Sequence, residues 1–362
     1  MLETSLKLLK EITSHGFKAY IVGGFVRDYI LGIKSNDIDI ATNATPKNIK
    51  SIFDDSCLPS EDYGSVTVIS KGVRFEITTF RRDIGYINNR RPAEVKYIDD
   101  LLEDLKRRDF TINTLCMDES GEIVDLLNGR IDIENKVIRC VGDPNTKFSE
   151  DALRILRAIR FATILDFKLD DETVKAIKNC KHLIRNLSFN RKKEELDKIF
   201  SSTYAKNGIK LLLDLEIDKE LDISKLDEVK VCNSPIDIWC VLDVSSRYPF
   251  ASSEKDVINN VKAVLGRNNL DPMLLYTYGL YVNSVAGEIN GIDIKDVTEA
   301  YTNLVIHKRR DIDITSDEIM KLLNKKPGSY LKDIYNDIER EILYRRLPND
   351  KDKICKYILK KY

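Results

Sequence analysis

Asp37 and Asp39 stand one residue apart, and their spacing is the first feature of this sequence that points to chemistry. If NDIDIAT (36–42) is a strand, its side chains alternate, so both carboxylates leave one face while Ile38 and Ile40 leave the other. Carboxylates held that close repel each other and rise in pKa unless a cation sits between them. Hard oxygen donors suit Mg²⁺, which takes few protein ligands and completes its octahedron from water and phosphate. One or two such ions serve phosphoryl or nucleotidyl transfer.

The neighbouring residues supply the rest of such a site. Gly23 and Gly24 form a turn ahead of a predicted helix, FVRDYIL (25–31), and Gly32 stands where a helix commonly stops. Free amides and the dipole at the start of that helix favour an anion, and Arg27 lies on its first turn. In VRFEITTF (73–80), Val73, Phe75 and Ile77 share one face and Arg74, Glu76 and Thr78 the other. Glu76 therefore becomes a third acid if this strand neighbours the aspartates. Glycines, a helix start and three acids together describe a triphosphate site with metal.

These side chains need a scaffold, and the chain is long enough to supply one. Its 362 residues exceed what one core usually serves, and 43% hydrophobic with 32% charged residues excludes a disordered chain. Leu2, Leu6, Leu9 and Ile12 predict a helix over 2–14, AYIVG (19–23) a buried strand, and SVTVIS (65–70) a partner strand. RRDIGYINNRRPAEVKY (81–97) has no periodicity and reads as a long loop. Beyond residue 140 the pattern turns helical, in SEDALRILRAIRFA, DETVKAIKNCKHLI and RKKEELDKIF. The expected fold class is α+β, a small mixed sheet followed by an all-α remainder. MLETSLKLLKEITSHGF lacks the basic-then-apolar pattern of a leader, and no run approaches eighteen apolar residues, so a soluble cytoplasmic protein is expected. Seven scattered cysteines without metal-knuckle spacing read as reduced, mostly buried thiols. The net charge of −1 hides two basic segments: residues 139–200 carry 14 Lys or Arg against 10 Asp or Glu, and residues 307–362 carry 15 against 10. That distribution fits one face meeting a polyanion.

GGFVRD (23–28) followed by Asp37 and Asp39 resembles the signature of polymerase-β-like nucleotidyltransferases. RRDFTIN (107–113), DLLNGRIDIENKVIRCVGDP (125–144), EDALRILRAIRF (150–161) and NRKKEELDKIF (190–200) narrow the resemblance to the bacterial and eukaryotic (class II) CCA-adding tRNA nucleotidyltransferases. Residues 309–349 are similar to that family's tRNA-binding C-terminal region. The resemblance implies an elongated head (1–139), neck (140–200), body (201–305) and tail (306–362), and addition of C, C and A from CTP and ATP to tRNA 3′ ends without a nucleic-acid template. It implies that Asp37 and Asp39 bind two Mg²⁺ ions with Glu76 as third acid, and that Gly23, Gly24, Arg27 and Arg108 hold triphosphate and sugar. Asp151, Arg154, Arg157 and Arg160 would meet the incoming nucleotide. Where the family carries two adjacent glycines, this chain has Asn128 and Gly129.

The residues themselves support a base-reading role. On a helix starting near Ser149, Asp151 and Arg154 would share a face. A carboxylate accepts from the exocyclic amine of cytosine or adenine, and a guanidinium donates to the ring acceptors beside it. Uracil and guanine place an oxygen where the amine should be, an unpaired arrangement costing about 1–3 kcal/mol. An ordinary intrahelical salt bridge is the alternative reading. Arg160 lies roughly 180° around that helix from Asp151, so Arg157 and Arg160 are assigned to phosphates or scaffolding. The 81–91 segment matches a region that CC-only enzymes of the family lack. Lys325 and Lys326, ahead of a predicted helix, are candidate tRNA phosphate contacts. His15, His182 and His307 are isolated, and Trp239 is expected in the core. Rival functions are an A-adding specialist, a bacterial poly(A) polymerase, and a noncatalytic RNA-binding protein. A hydrolase is disfavoured because no histidine cluster accompanies the acids.

Overall fold

The computed structural model describes residues 1–35, 37–53, 57–58, 64–87, 91–230, 233–244 and 246–362. The chain divides into two compact units, Met1–Asp227 with Val244–Pro249, and Glu228–Asp243 with Phe250–Tyr362.

The first unit begins with α1 (Leu2–Ser14), which buries Leu8, Leu9 and Ile12. Next come β1 (Ala19–Val22), α2 (Gly24–Ile30), β2 (Asp39–Thr42), α3 (Pro46–Phe53), β3 (Cys57–Leu58), β4 (Ser65–Ser70) and β5 (Val73–Thr79). β6 (Arg81–Ile87), β7 (Arg91–Tyr97), α4 (Leu101–Lys106), β8 (Cys116–Met117) and β9 (Ile123–Val124) follow. One mixed sheet runs in the order β3-β4-β5-β2-β1-β8-β9. β2 and β5 are parallel, with Asp39 opposite Glu76 and Ile40 opposite Ile77. Phe75 and Ile77 are buried while Arg74 and Glu76 are exposed, the alternation read in VRFEITTF.

Two expectations change here. The aspartate strand starts only at Asp39, so Asp37 precedes it; Asn36 lies outside the described residues. Arg81–Ile87 and Arg91–Tyr97 are strands rather than the expected loop: β6 and β7 pair as an antiparallel ribbon from Arg81 opposite Tyr97 to Ile87 opposite Arg91, while 88–90 lie outside the described residues. Neither strand joins the main sheet, and Arg82, Ile84, Glu94 and Lys96 are exposed. The opposite face, with Arg81, Asp83 and Val95, is half-buried, but two of these three are charged, so the alternation leaves no hydrophobic period-2 signal to read.

Helices then take over: α5 (Gly129–Glu134), a short parallel pair of β10 (Val137–Ile138) and β11 (Lys168–Leu169), α6 (Pro144–Glu150), α7 (Leu153–Leu165), α8 (Asp171–Cys180), α9 (Phe189–Phe200), α10 (Ala205–Asp214) and α11 (Asp218–Leu221). Asp143 caps α6 by accepting the Asn145 and Thr146 amides, and Asp170 caps α8 the same way at Glu172 and Thr173. α7 buries Ile155, Leu156, Ala158 and Ile159. Asn128 adopts the left-handed conformation (φ 58°), which asparagine tolerates. A Cβ on Gly129 would stand 2.2 Å from the Thr111 carbonyl oxygen, so of the family's glycine pair this chain keeps the one that sterics demand.

The second unit is helical: α12 (Pro235–Val241), α13 (Ser252–Val264), α14 (Pro272–Ile289), α15 (Ile294–Thr302), α16 (Ser316–Leu323), α17 (Tyr330–Leu343) and α18 (Lys351–Lys361). Gly279 bends α14 with φ 76°, and the buried Asn283 amide bridges the bend through the Leu274 and Gly279 carbonyls at 3.0 and 2.9 Å. Ile319, Ile334, Ile338, Ile342, Ile354 and Ile358 form its C-terminal core, and Trp239 is buried as expected. Cys116, Cys140, Cys180 and Cys240 are buried free thiols. Among the described residues no helix is long and apolar enough to cross a membrane.

Candidate active site

A cleft of about 440 Å³ opens in the first unit. Its walls come from three places in the sequence: Gly23, Gly24, Arg27, Asp37 and Asp39; Arg107, Arg108, Asp109 and Asn113; and Asp151, Arg154, Arg157, Arg160 and Phe161. A smaller cavity of about 240 Å³ shares Asp39, Arg107 and Arg108 with it and adds Glu76, Ser65, Thr78 and Arg81. Every nucleotide-binding and catalytic residue expected from the sequence lines one of these two spaces.

The β1–α2 turn brings the backbone up to the cleft. Gly23 has φ 78°, and a Cβ there would stand 3.4 Å from Arg108 Nη1. Asp37, Asp39 and Glu76 are exposed. Burial among its neighbours, then the charges of Asp37 and Glu76, push the Asp39 carboxyl up to about 6, against a smaller opposing pull from Arg108. Asp39 thus keeps access to solvent while its carboxyl is partly desolvated and crowded by like charge. Oxygen donors carrying uncompensated negative charge are the set that accepts a hard divalent cation, so the residues fit Mg²⁺. Among the described residues no three Asp, Glu, His or Cys side chains gather to hold one ion. The fit is therefore to a two-carboxylate site, with Glu76 beside it in register.

A chain of polar contacts ties Arg27 to α7. Arg27 Nη1 donates to Asn113 Oδ1 at 2.7 Å, Asn113 Nδ2 to Asp109 Oδ1 at 3.1 Å, and Arg157 Nε to Asp109 Oδ2 at 2.7 Å. Burial pushes the Asp109 carboxyl up, but Arg157, the Asn113 amide and the Phe110 backbone amide outweigh it and hold it at about 2. Phe161 lies under this network, with the guanidinium carbons of Arg27, Arg157 and Arg160 at 5.1, 5.4 and 4.3 Å from its ring centre. Arg160 Nη1 donates to both oxygens of buried Glu195 on α9, at 2.9 and 2.8 Å. Its contact is thus to scaffold rather than outward, the second of the two assignments read from helical geometry.

The expected helix from Ser149 is corrected. Ser149 lies inside α6, which ends at Glu150, and Asp151 is extended (φ −145°) between α6 and α7. Asp151 Oδ1 accepts the Leu153 amide at 3.0 Å, and its Oδ2 accepts nothing among the described residues. Burial raises the Asp151 carboxyl above the usual range, partly offset by that amide and by Arg154 and Arg157. No intrahelical Asp151–Arg154 pair forms. Arg154 Nη1 donates to Glu150 Oε2 at 2.6 Å and to the Lys147 carbonyl at 2.9 Å, and Nη2 to the Arg107 carbonyl at 3.2 Å.

Arg107, Asp109, Asn113 and Phe161 were not singled out from the sequence although all lie in quoted motifs. For Arg107, Asp109 and Asn113 the signal was the RRDFTIN turn, where a single 3₁₀ turn (Thr111–Asn113) carries Asn113 back beside Asp109. Lys325 and Lys326 belong to the second unit, after Asn324 (φ 49°) ends α16. There they line a depression of about 520 Å³ with Asp317, Met320 and Lys321, and Lys325 Nζ lies 5.4 Å from the Tyr330 ring centre. The ring nitrogens of His15, His182 and His307 contact the Glu11, Asn179 and Tyr301 carbonyls.

Comparison with known proteins places this geometry in a family. Residues 19–139 match a model described as a poly A polymerase head domain. Residues 166–221 match a probable RNA- and SrmB-binding site of polymerase A, and residues 250–358 a putative tRNA nucleotidyltransferase domain 2. The CCA-adding enzyme of Ligilactobacillus salivarius (strain UCC118) is 35% identical over 378 residues, 96% of this chain and 94% of that protein. That of Staphylococcus haemolyticus (strain JCSC1435) is 33% identical, covering 97% and 96%. Among solved structures, the Bacillus stearothermophilus CCA-adding enzyme in complex with CTP superposes with a TM-score of 0.83 at 26% identity, covering 99% of this chain and 97% of that one. The chain belongs to the family of CCA-adding enzymes, nucleotidyltransferases that act on tRNA.

Proposed function

We propose that this chain, in the cytoplasm, adds C, C and A to tRNA 3′ ends from CTP and ATP and releases pyrophosphate, its own side chains replacing a template. The observation that carries the reading is one cleft that joins crowded carboxylates at Asp37 and Asp39 to an unengaged acceptor, Asp151 Oδ2.

Asp37 and Asp39 would hold Mg²⁺, with Glu76 alongside. When bound, the metal lowers the pKa of the attacking ribose hydroxyl and supports the charge of the leaving pyrophosphate. Gly23, Gly24, Arg27 and Arg108 hold the triphosphate and sugar: glycine lets the backbone approach, and the guanidinia supply charge-assisted donors. Asp151 Oδ2 accepts from the exocyclic amine of C or A. Arg154 fixes that wall through Glu150, Lys147 and Arg107, and donates to a base only by exchanging one of those bonds. Arg157, paired with Asp109, completes the side of the cleft facing the nucleotide. In this reading residues 1–139 form the catalytic head, 140–200 the neck, 201–305 the body and 306–362 the tail, where Lys325 and Lys326 meet tRNA phosphates.

The poly(A) alternative shares the head and is separated by product length. Given a tRNA ending in CC and ATP alone, the chain is expected to add one A and stop; a growing A tract would overturn the assignment.

The acid cluster also fixes a pH dependence. Asp39 is protonated below about 6 when no cation is bound, so activity at limiting Mg²⁺ should rise with pH through about 6. More Mg²⁺ favours the carboxylate and should move that limb to lower pH, whereas a limb indifferent to Mg²⁺ would contradict the assignment. Because the folded state holds this proton more tightly than the unfolded chain, the contribution of Asp39 to metal-free stability should fall as pH rises from about 4 to about 6, read as the difference between the unaltered chain and Asp39→Asn.

A further inference from the structure

We propose that Asp104 is a positioning residue for nucleotide transfer, a buried carboxylate that aims Arg107 and Arg108 into the cleft and anchors the root of the β6–β7 ribbon to the same point. The proposal rests on the reading of the cleft as the nucleotide site. Asp104 lies on α4 and is fully buried, so it touches no substrate. Its Oδ1 accepts the Arg81 backbone amide at 3.1 Å and Arg107 Nε at 2.8 Å, and its Oδ2 accepts Arg108 Nη2 at 3.4 Å.

The two arginines and Asp39 are the residues common to both cavities. A guanidinium on a long stem keeps one direction only if something fixes it, at the cost of its rotamer freedom. For Arg108 the buried Nε has no hydrogen-bond partner among the described residues, so the bond to Asp104 is what sets its aim. Burial disfavours the charged form of Arg107, and the negative charge of Asp104 is the first compensation for it. The amide of Arg81 is the first of the ribbon, whose strands lack the main sheet as a partner. Arg82 Nη2, bonded to Glu103 Oε2 at 2.6 Å, adds a second stitch between β6 and α4. Ribbon root and cleft arginines are thus referenced to one carboxylate, and neither can shift without disturbing the bonds of the other.

Asp104→Asn in the full chain tests this, because it keeps shape and an acceptor for the Arg81 amide while removing the charge that faces both guanidinia. The measurements are the thermal midpoint, kcat and KM for CTP and for ATP on tRNA lacking its terminal nucleotides, and CTP affinity without tRNA. The expected result is a rise of about tenfold in KM for both nucleotides and in the CTP Kd, all read well below a lowered thermal midpoint, because Arg107 stays buried without its compensating charge. Adding Arg107→Gln to Asp104→Asn should cost less than twofold more, since the aim of Arg107 is already lost. KM unchanged, with any loss confined to kcat in proportion to the folded fraction, would mean that Asp104 only holds the fold, and would overturn the proposal. So would full additivity with Arg107→Gln. If Asp104→Asn does not fold, Arg107→Gln alone decides, a raised KM in a folded protein supporting the proposal and an unchanged KM overturning it. Failure of the unaltered chain to bind CTP would instead bring down the nucleotide-site reading and the proposal with it.

Discussion

Asp39→Asn is expected to lower nucleotide addition by about 10³-fold or more, while CTP binding changes only a few-fold and the thermal midpoint holds or rises. A metal's stabilisation of developing charge amounts to several kcal/mol, and each 1.36 kcal/mol is tenfold in rate, so losing about 4 kcal/mol gives that factor. Binding should survive because Arg27 and Arg108 remain in the cleft with Gly23 and Gly24. Stability should not suffer, because Asp39 is crowded by Asp37 and Glu76 and the neutral amide removes that repulsion. Single-turnover incorporation, calorimetric CTP titration and a melting curve read the three quantities. Incorporation within tenfold of the unaltered chain would contradict a metal held by this carboxylate.

Asp151→Asn is expected to change which base is added. The Asp151 carboxylate can only accept, whereas an asparagine amide can turn a donor toward the base and so meet O4 of uracil or O6 of guanine. At about 1–3 kcal/mol per unpaired buried group, CTP should lose roughly 5- to 150-fold in kcat/KM. UTP should gain relative to CTP by at least tenfold. With Oδ1 kept on the Leu153 amide, the asparagine places Nδ2 where Asp151 Oδ2 stood and so turns a donor to the base; the flipped amide would set Nδ2 against the Leu153 amide and loosen the start of α7. Measuring UTP as well as CTP separates the two effects, because loosening alone lowers both together. An unchanged UTP-to-CTP ratio would remove Asp151 from base selection.

The strand that starts at Asp39, the glycine turn and Glu76 were legible in the sequence because the sheet is amphipathic: Phe75 and Ile77 point into the core, so Glu76 must point out, and β2–β5 pairing sets it opposite Asp39. The β6–β7 ribbon was illegible because its half-buried face carries Arg81 and Asp83, and a charged face leaves no hydrophobic period. The break at Asp151 was illegible for another reason. Nothing in EDALR forbids a continuous helix; tertiary contacts impose the break, with Arg154 reaching Lys147 and Arg107. The sequence likewise names charged residues but not their partners. Arg160 meets Glu195 thirty-five residues away, and Asp109 serves Asn113 and Arg157 together, so which arginines face a nucleotide and which face the protein is decided by packing.

The central claim is that one cleft, without a template, chooses C twice and then A. Incubating the protein with Mg²⁺, CTP, ATP and a tRNA lacking its last three nucleotides, and sequencing the product ends, tests it most directly. Ends reading CCA, formed from CTP and ATP and from neither nucleotide alone, are the expected result; addition of A to tRNA ending in CC, with none of the shorter ends extended, would contradict it.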